Sequence, residues 1–187
     1  GPIAQAAYGI GIRVFLAVLM PGFGVGNAAA TLVGQNLGAD KPDRATRAGW
    51  LSALMWAGIS LLIGGALWGL AAPIVRVFNA TPEVVSVGAT FLRWMAFCFP
   101  FTALSVVLGR AMGGAGDTFW PMVIVGIAML GVRLPLAYLL ATSWDSATGV
   151  WVAWAASSLL QGALFALGFR WGRWRKIGRA FVSEIDS

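Results

Sequence analysis

Five apolar stretches, at about residues 3–32, 48–72, 84–109, 119–141 and 149–169, decide what this chain of 187 residues can become. A helix crosses the bilayer core with about 20 predominantly apolar residues, and each stretch is long enough. Composition agrees: 59% of the residues are hydrophobic and 11% charged, with a mean hydropathy of +0.80. Soluble domains run at about 45–50% apolar and about 25% charged. The expected fold is therefore an all-α integral membrane protein. A helical lobe occupies residues 1–169, and a basic tail covers 170–187.

The breaks between the runs carry the turn chemistry. Between the first two lies LVGQNLGADKPDRATR, where Gly34, Gly38 and Pro42 punctuate the backbone and Gln35 adds a polar side chain. Asp40 is expected to cap the helix that begins at Lys41-Pro42, with Asp43 near its third position. The first run is interrupted by Arg13 and by Pro21-Gly22, so a bend is expected there, and the glycines at 22, 24 and 26 allow a neighbouring helix to approach closely. The second run is expected to end at Pro73, with Thr81 and Pro82 opening the next helix. The third carries Arg93 and Phe99-Pro100, and the fourth Arg133 and Pro135. Between them, Gly113, Gly114 and Gly116 permit a tight reversal, Asp117 can cap the following helix, and Pro121 suits its first turn. A phosphate cradle would need a strand before the helix, which this pattern lacks.

Charge placement sets the orientation. Lys41, Arg44, Arg47, Arg110, Arg170, Arg173, Arg175, Lys176 and Arg179 fall on one side, against Arg76 alone in the opposite loops. Basic loops stay cytoplasmic, so the expectation is a multi-pass protein of the inner (plasma) membrane with a cytoplasmic C-terminal tail. The net charge of +6 then meets anionic lipid, not nucleic acid. Trp50, Trp68, Trp120, Trp144, Trp151, Trp171 and Trp174 fall near helix ends and read as an aromatic belt. Five spans place the N-terminus outside, and with a start at Gly1-Pro2 the expectation is that another helix precedes this stretch. Cys98 is the single cysteine and histidine is absent, so neither an internal disulfide nor a metal site of the usual spacing is expected, and no cofactor or enzymatic chemistry.

Polar groups inside the runs are the remaining functional signal. Arg13 and Arg93 suit snorkelling to the outer headgroups. Arg133 lies deeper, roughly 21 Å from Phe119 at about 1.5 Å per residue, and is expected to face a watery cavity or an acidic partner elsewhere in the protein. Every carboxylate lies outside the runs, so a coupling acid is expected elsewhere in the protein. Most Ser and Thr in such helices bond their own backbone. Asn27, after the glycine-rich stretch, and Thr102, one turn after the carbonyl freed by Pro100, stand apart, because interrupted helices are where transporters place substrate and ion contacts. With Phe99 and Arg133 they are the pathway candidates.

Four segments taken together resemble the multidrug and toxic compound extrusion (MATE) transporters: LVGQNLGADKPDRA at residues 32–45, GRAMGGAGDTFWP at 109–121, VRLPLAYLL at 132–140 and GVWVA at 149–153. The resemblance implies twelve helices in two six-helix lobes, of which this chain is similar to helices eight to twelve. It implies secondary antiport, in which sodium or proton entry drives export of small organic, often cationic, compounds by rocking of one lobe against the other, here a missing N-terminal lobe. In one branch of the family the tenth helix carries a cation-binding aspartate about fifteen residues before the residue matching Asp117. Thr102 stands at that position, so the resemblance places the coupling ion, sodium or proton, outside this stretch. Two alternatives remain: a lipid-linked oligosaccharide flippase of the same superfamily, whose phosphate the arginines would meet, and a non-transporting membrane scaffold.

Overall fold

The computed structural model describes residues 2–144 and 148–177. Asp145 in the turn before the fifth run, and Arg179, Glu184 and Asp186 in the tail, lie outside the described residues. Five helices follow in order: α1 (Pro2–Gly38), α2 (Pro42–Phe78), α3 (Pro82–Gly114), α4 (Phe119–Trp144) and α5 (Thr148–Trp171). All five are long and apolar enough to span a membrane. Each runs beyond its apolar stretch, because helix geometry satisfies the backbone in headgroups and water as well as in hydrocarbon.

Three prolines lie inside helices without ending them. Pro21 and Pro100 sit inside unbroken helices, and Pro73 does not end α2, which continues to Phe78. One proline removes a single helical hydrogen bond, a loss that the intact turns before and after it absorb, and Pro21 and Pro73 are exposed on their helices. Close to Pro73 the Arg93 Nε donates to the Trp68 carbonyl at 3.4 Å, so this guanidinium serves α2 rather than only reaching for headgroups. The end of α2 is instead set by Asn79, whose Oδ1 accepts the Thr81 N–H at 2.9 Å, and Pro82 then opens α3.

The two basic-end turns share one construction. Asp40 has φ +52, its N–H donates to the Leu37 carbonyl at 2.9 Å, and the Lys41 N–H reaches back to Asn36 at 2.8 Å. That closes α1 in a Schellman motif with Asp40 as the left-handed residue. Lys41, not Asp40, therefore occupies the cap position of α2 and makes no side-chain cap, while Pro42 and Asp43 fall in the first turn as expected. Gly116, at φ +84, repeats the motif after α3, with Gly116 N–H to Gly113 and Asp117 N–H to Met112.

The deeply buried helix is α3, with 16 buried residues, and α1, α2 and α5 pack around it while α4 leans on α5. Small residues set the crossings. A Cβ on Gly114 would collide with the backbone of Ala30, and one on Gly34 would stand 2.9 Å from the Gly114 carbonyl, so α1 and α3 touch backbone to backbone. The Ala96 carbonyl, which Pro100 cannot hydrogen-bond, faces Gly64 of α2, where a Cβ would lie 2.8 Å away. The freed carbonyl is thus covered by a close helix approach.

One stretch of α4 departs from α geometry. Residues Ile127–Arg133 form a π-helix, and the Leu134 N–H donates to Met129, five residues back. Pro135 lacks an N–H, and its ring crowds the carbonyl four residues before it, Gly131. Widening the preceding turn relieves that crowding.

Candidate functional site

Arg133 is the last residue of the π segment. Its Nε donates to Ser157 Oγ of α5 at 2.8 Å, and that hydroxyl donates to the Trp154 carbonyl at 2.9 Å. The guanidinium carbon stands 4.9 Å from the centre of the Trp154 ring, within the range of a cation–π contact. Cys98 of α3 lies beside Ser158 of α5. A half-buried arginine is thus positioned by one hydroxyl and one indole. The acids among the described residues, Asp40, Asp43, Glu83 and Asp117, all lie at helix ends, so none pairs with it.

Trp154 is also the start of an aromatic path. Its ring meets Phe15 of α1 edge-on at 5.8 Å, and Phe15 stacks against Phe99 of α3 at 5.9 Å. Phe99 and Thr102 then line a cavity of about 10 Å³ with Phe15, Trp56 and Ser60. That volume is near the space one water needs, about 10–15 Å³, and the Thr102 and Ser60 hydroxyls supply polar partners. Three of the four pathway candidates, Phe99, Thr102 and Arg133, therefore belong to one continuous cluster linking α1, α3, α4 and α5.

Asn27 is not part of it. It is exposed on α1, its own carbonyl accepting the Thr31 hydroxyl at 3.1 Å. With Arg13, Ala17, Met20, Gly24, Thr31 and Gln35, all exposed, it forms one stripe at helical spacing along α1.

Of the loop residues, Gly34 and Gly114 serve the helix crossing and Gly116 the reversal, while Gly38 lies in the last turn of α1 with open space beside it. Asp117 is buried, and its Oδ1 accepts the Trp120 N–H at 3.3 Å at the start of α4. Gln35 is exposed. The belt reading suits Trp68, Trp144 and Trp171, which are exposed, and fails for Trp174, which is fully buried and stacks on Phe169 at 4.7 Å. Gly172, at φ +71, turns the chain back so that Trp174 plugs the bundle end, its Nε1 donating to the Phe169 carbonyl.

Reading the sequence missed Phe15, Trp154 and Ser157 as members of the site. Trp154 and Ser157 share a face of α5 at i, i+3, which is legible. Their partner Arg133 lies 24 residues before Ser157 on another helix, and no local pattern joins the two.

Comparison with known proteins places the fold. Residues 1–139 match the MatE family model, and the chain belongs to that family. It is 27% identical over 192 residues to the Thermotoga maritima protein described as "Probable multidrug resistance protein NorM", and 25% identical over 175 residues to "Probable multidrug resistance protein YpnP" of Bacillus subtilis. These alignments take in 99% and 94% of this chain but 41% and 39% of the relatives, so the chain spans about two fifths of their length. The eukaryotic MATE transporter AtDTX14 shares the fold with a TM-score of 0.88 at 22% identity, over 97% of this chain and 41% of that one. The MATE transporter ClbM, solved in complex with Rb+, matches at 0.86 and 23% identity, over 94% and 42%. Fold and family agree with a partial lobe of a twelve-helix transporter.

Proposed function

We propose that the full-length protein is a secondary antiporter of the plasma membrane that exports small organic, cationic compounds in exchange for sodium or protons. This chain supplies part of one lobe, with the basic tail in the cytoplasm and the coupling ion bound outside it. The carrying observation is the aromatic path from Phe99 through Phe15 to Trp154. Stacked and edge-on rings hold flat apolar cations by dispersion and by their quadrupoles, with little demand on exact substrate shape. The stripe on α1 supports the same reading. An Asn27 amide facing hydrocarbon leaves its polar groups unsatisfied, whereas facing a watery path or a second lobe it does not. Alternating access then consists of this lobe, held rigid by its backbone-contact crossings, rocking against its partner.

The test is Thr102→Ala in the full-length transporter reconstituted in vesicles. The ratio of transport rates for a large flat aromatic cation and a small one should change, while the sodium or proton dependence of export stays as in the wild type. Loss of ion dependence would overturn the assignment of coupling to another part of the protein. One observation favours a second reading, flipping of a lipid-linked oligosaccharide: the Arg133 guanidinium has no carboxylate partner among the described residues and could meet a phosphate. Arg133→Gln should abolish flipping of a lipid precursor if that reading holds, and otherwise alter only drug selectivity.

A further inference from the structure

Where α3, α4 and α5 meet at the basic end, a groove of about 330 Å³ opens between the helices. Its walls include Trp120, Ile124 and Ile127 of α4 and Leu164 and Leu167 of α5, with Arg173 at the mouth. Ile127, Leu167 and Trp171 are exposed along its rim, so the groove is open sideways within the spanning segments. From Trp120 to Ile127 it extends about 10 Å along the helix axis at about 1.5 Å per residue, which suits the upper part of an acyl chain.

The mouth is built for an anion. The Arg173 guanidinium carbon stands 5.4 Å from the Trp120 ring centre, which holds the charge above the groove without neutralising it. Asp43, exposed in the first turn of α2, lies 3.8 Å from Arg175, while Arg173 has no carboxylate partner among the described residues. Asp117, next to the groove in the chain, is buried and outside the lining. Arg170 and Lys176, on the same short segment, are exposed. We propose that this groove is a binding site for one anionic phospholipid of the leaflet at the basic end, its phosphate on Arg173 and one acyl chain between α4 and α5. The site adds a lipid ligand to the transporter and shares no residue with the aromatic path from Phe99 through Phe15 to Trp154 or with the cavity at Thr102.

The experiment uses the full-length transporter in vesicles of phosphatidylcholine containing spin-labelled phosphatidylglycerol or spin-labelled phosphatidylcholine, with the motionally restricted fraction read by electron paramagnetic resonance. The wild type should restrict phosphatidylglycerol several-fold more than phosphatidylcholine. Arg173→Gln should lower that preference at least twofold, and Gly168→Leu, which fills the groove from a position whose Cβ would stand 3.6 Å from Ile124, should reduce restriction of both lipids. If neither variant changes the signal, the groove is covered by another part of the protein and the proposal falls. It also falls if Arg170→Gln has the same effect as Arg173→Gln, which indicates diffuse surface charge. Competition by glycerol phosphate as strong as by the lipid marks a free-anion site and overturns it as well.

Discussion

Gly113 and Gly114 are neighbours in one turn, and their sequence context assigned both to the same reversal. Neither makes it. Both are helical, Gly116 alone supplies the left-handed residue, and Gly114 is the point where α3 rests on the backbone of Ala30. A side chain at Gly114 meets main chain that cannot rotate away, whereas a Cβ at Gly113 has nothing within 4 Å. Gly114→Leu should destabilise the protein by about 1–3 kcal/mol or more, and Gly113→Ala should be neutral or stabilising by about 0.5–1 kcal/mol through helix propensity. Thermal midpoints in detergent, compared between the two variants, check the contrast. Residue type and spacing announced that something close would pack against this region. Which glycine it packs against depends on the rotation of α1, which no single segment encodes.

The same division holds for whole elements. The apolar runs revealed all five helices, because span length and hydropathy are local properties. The π segment of α4 and the folded-back end after α5 were not legible. The first arises where a proline at 135 follows a helix already held against α5, and the second depends on a distant cage. Trp174 lies on Phe169, itself edge-on to Trp50 of α2 at 5.7 Å. Four residues separate it from Phe169 in the chain, and the basic neighbourhood of Arg170, Arg173, Arg175 and Lys176 suggested an interfacial position. The structure predicts opposite outcomes for two nearby tryptophans. Trp174→Ala should cost about 3–5 kcal/mol, and Trp171→Ala, at a residue 79% exposed, should stay within about 0.5 kcal/mol. Chemical denaturation in micelles distinguishes them.

At the scale of the molecule, the outer faces differ in whether lipid, water or another lobe suits them. The stripe through Asn27 and the face through Leu62, 76% exposed, make opposite demands on their surroundings. In the full-length transporter with Cys98 removed, Asn27→Cys should react with a membrane-impermeant maleimide in at least one transport state. Leu62→Cys should remain unlabelled, because a lipid-facing thiol stays protonated and out of reach of the reagent. Equal labelling of both would contradict the assignment of the α1 stripe to the path. The sequence by itself determined class, span number and the absence of acids from the apolar runs, since each follows from hydrophobicity and charge read within a single segment. The motif resemblance extended that to the family. Only the tertiary structure decided that Arg133 is held by Ser157 and Trp154, that Phe99 and Thr102 share a water-sized cavity, and that Asn27 faces outward. Those facts depend on how helices cross and rotate against one another, and in a membrane that is set by small-residue contacts and polar pairs between distant segments rather than by hydrophobicity, which lipid satisfies equally well.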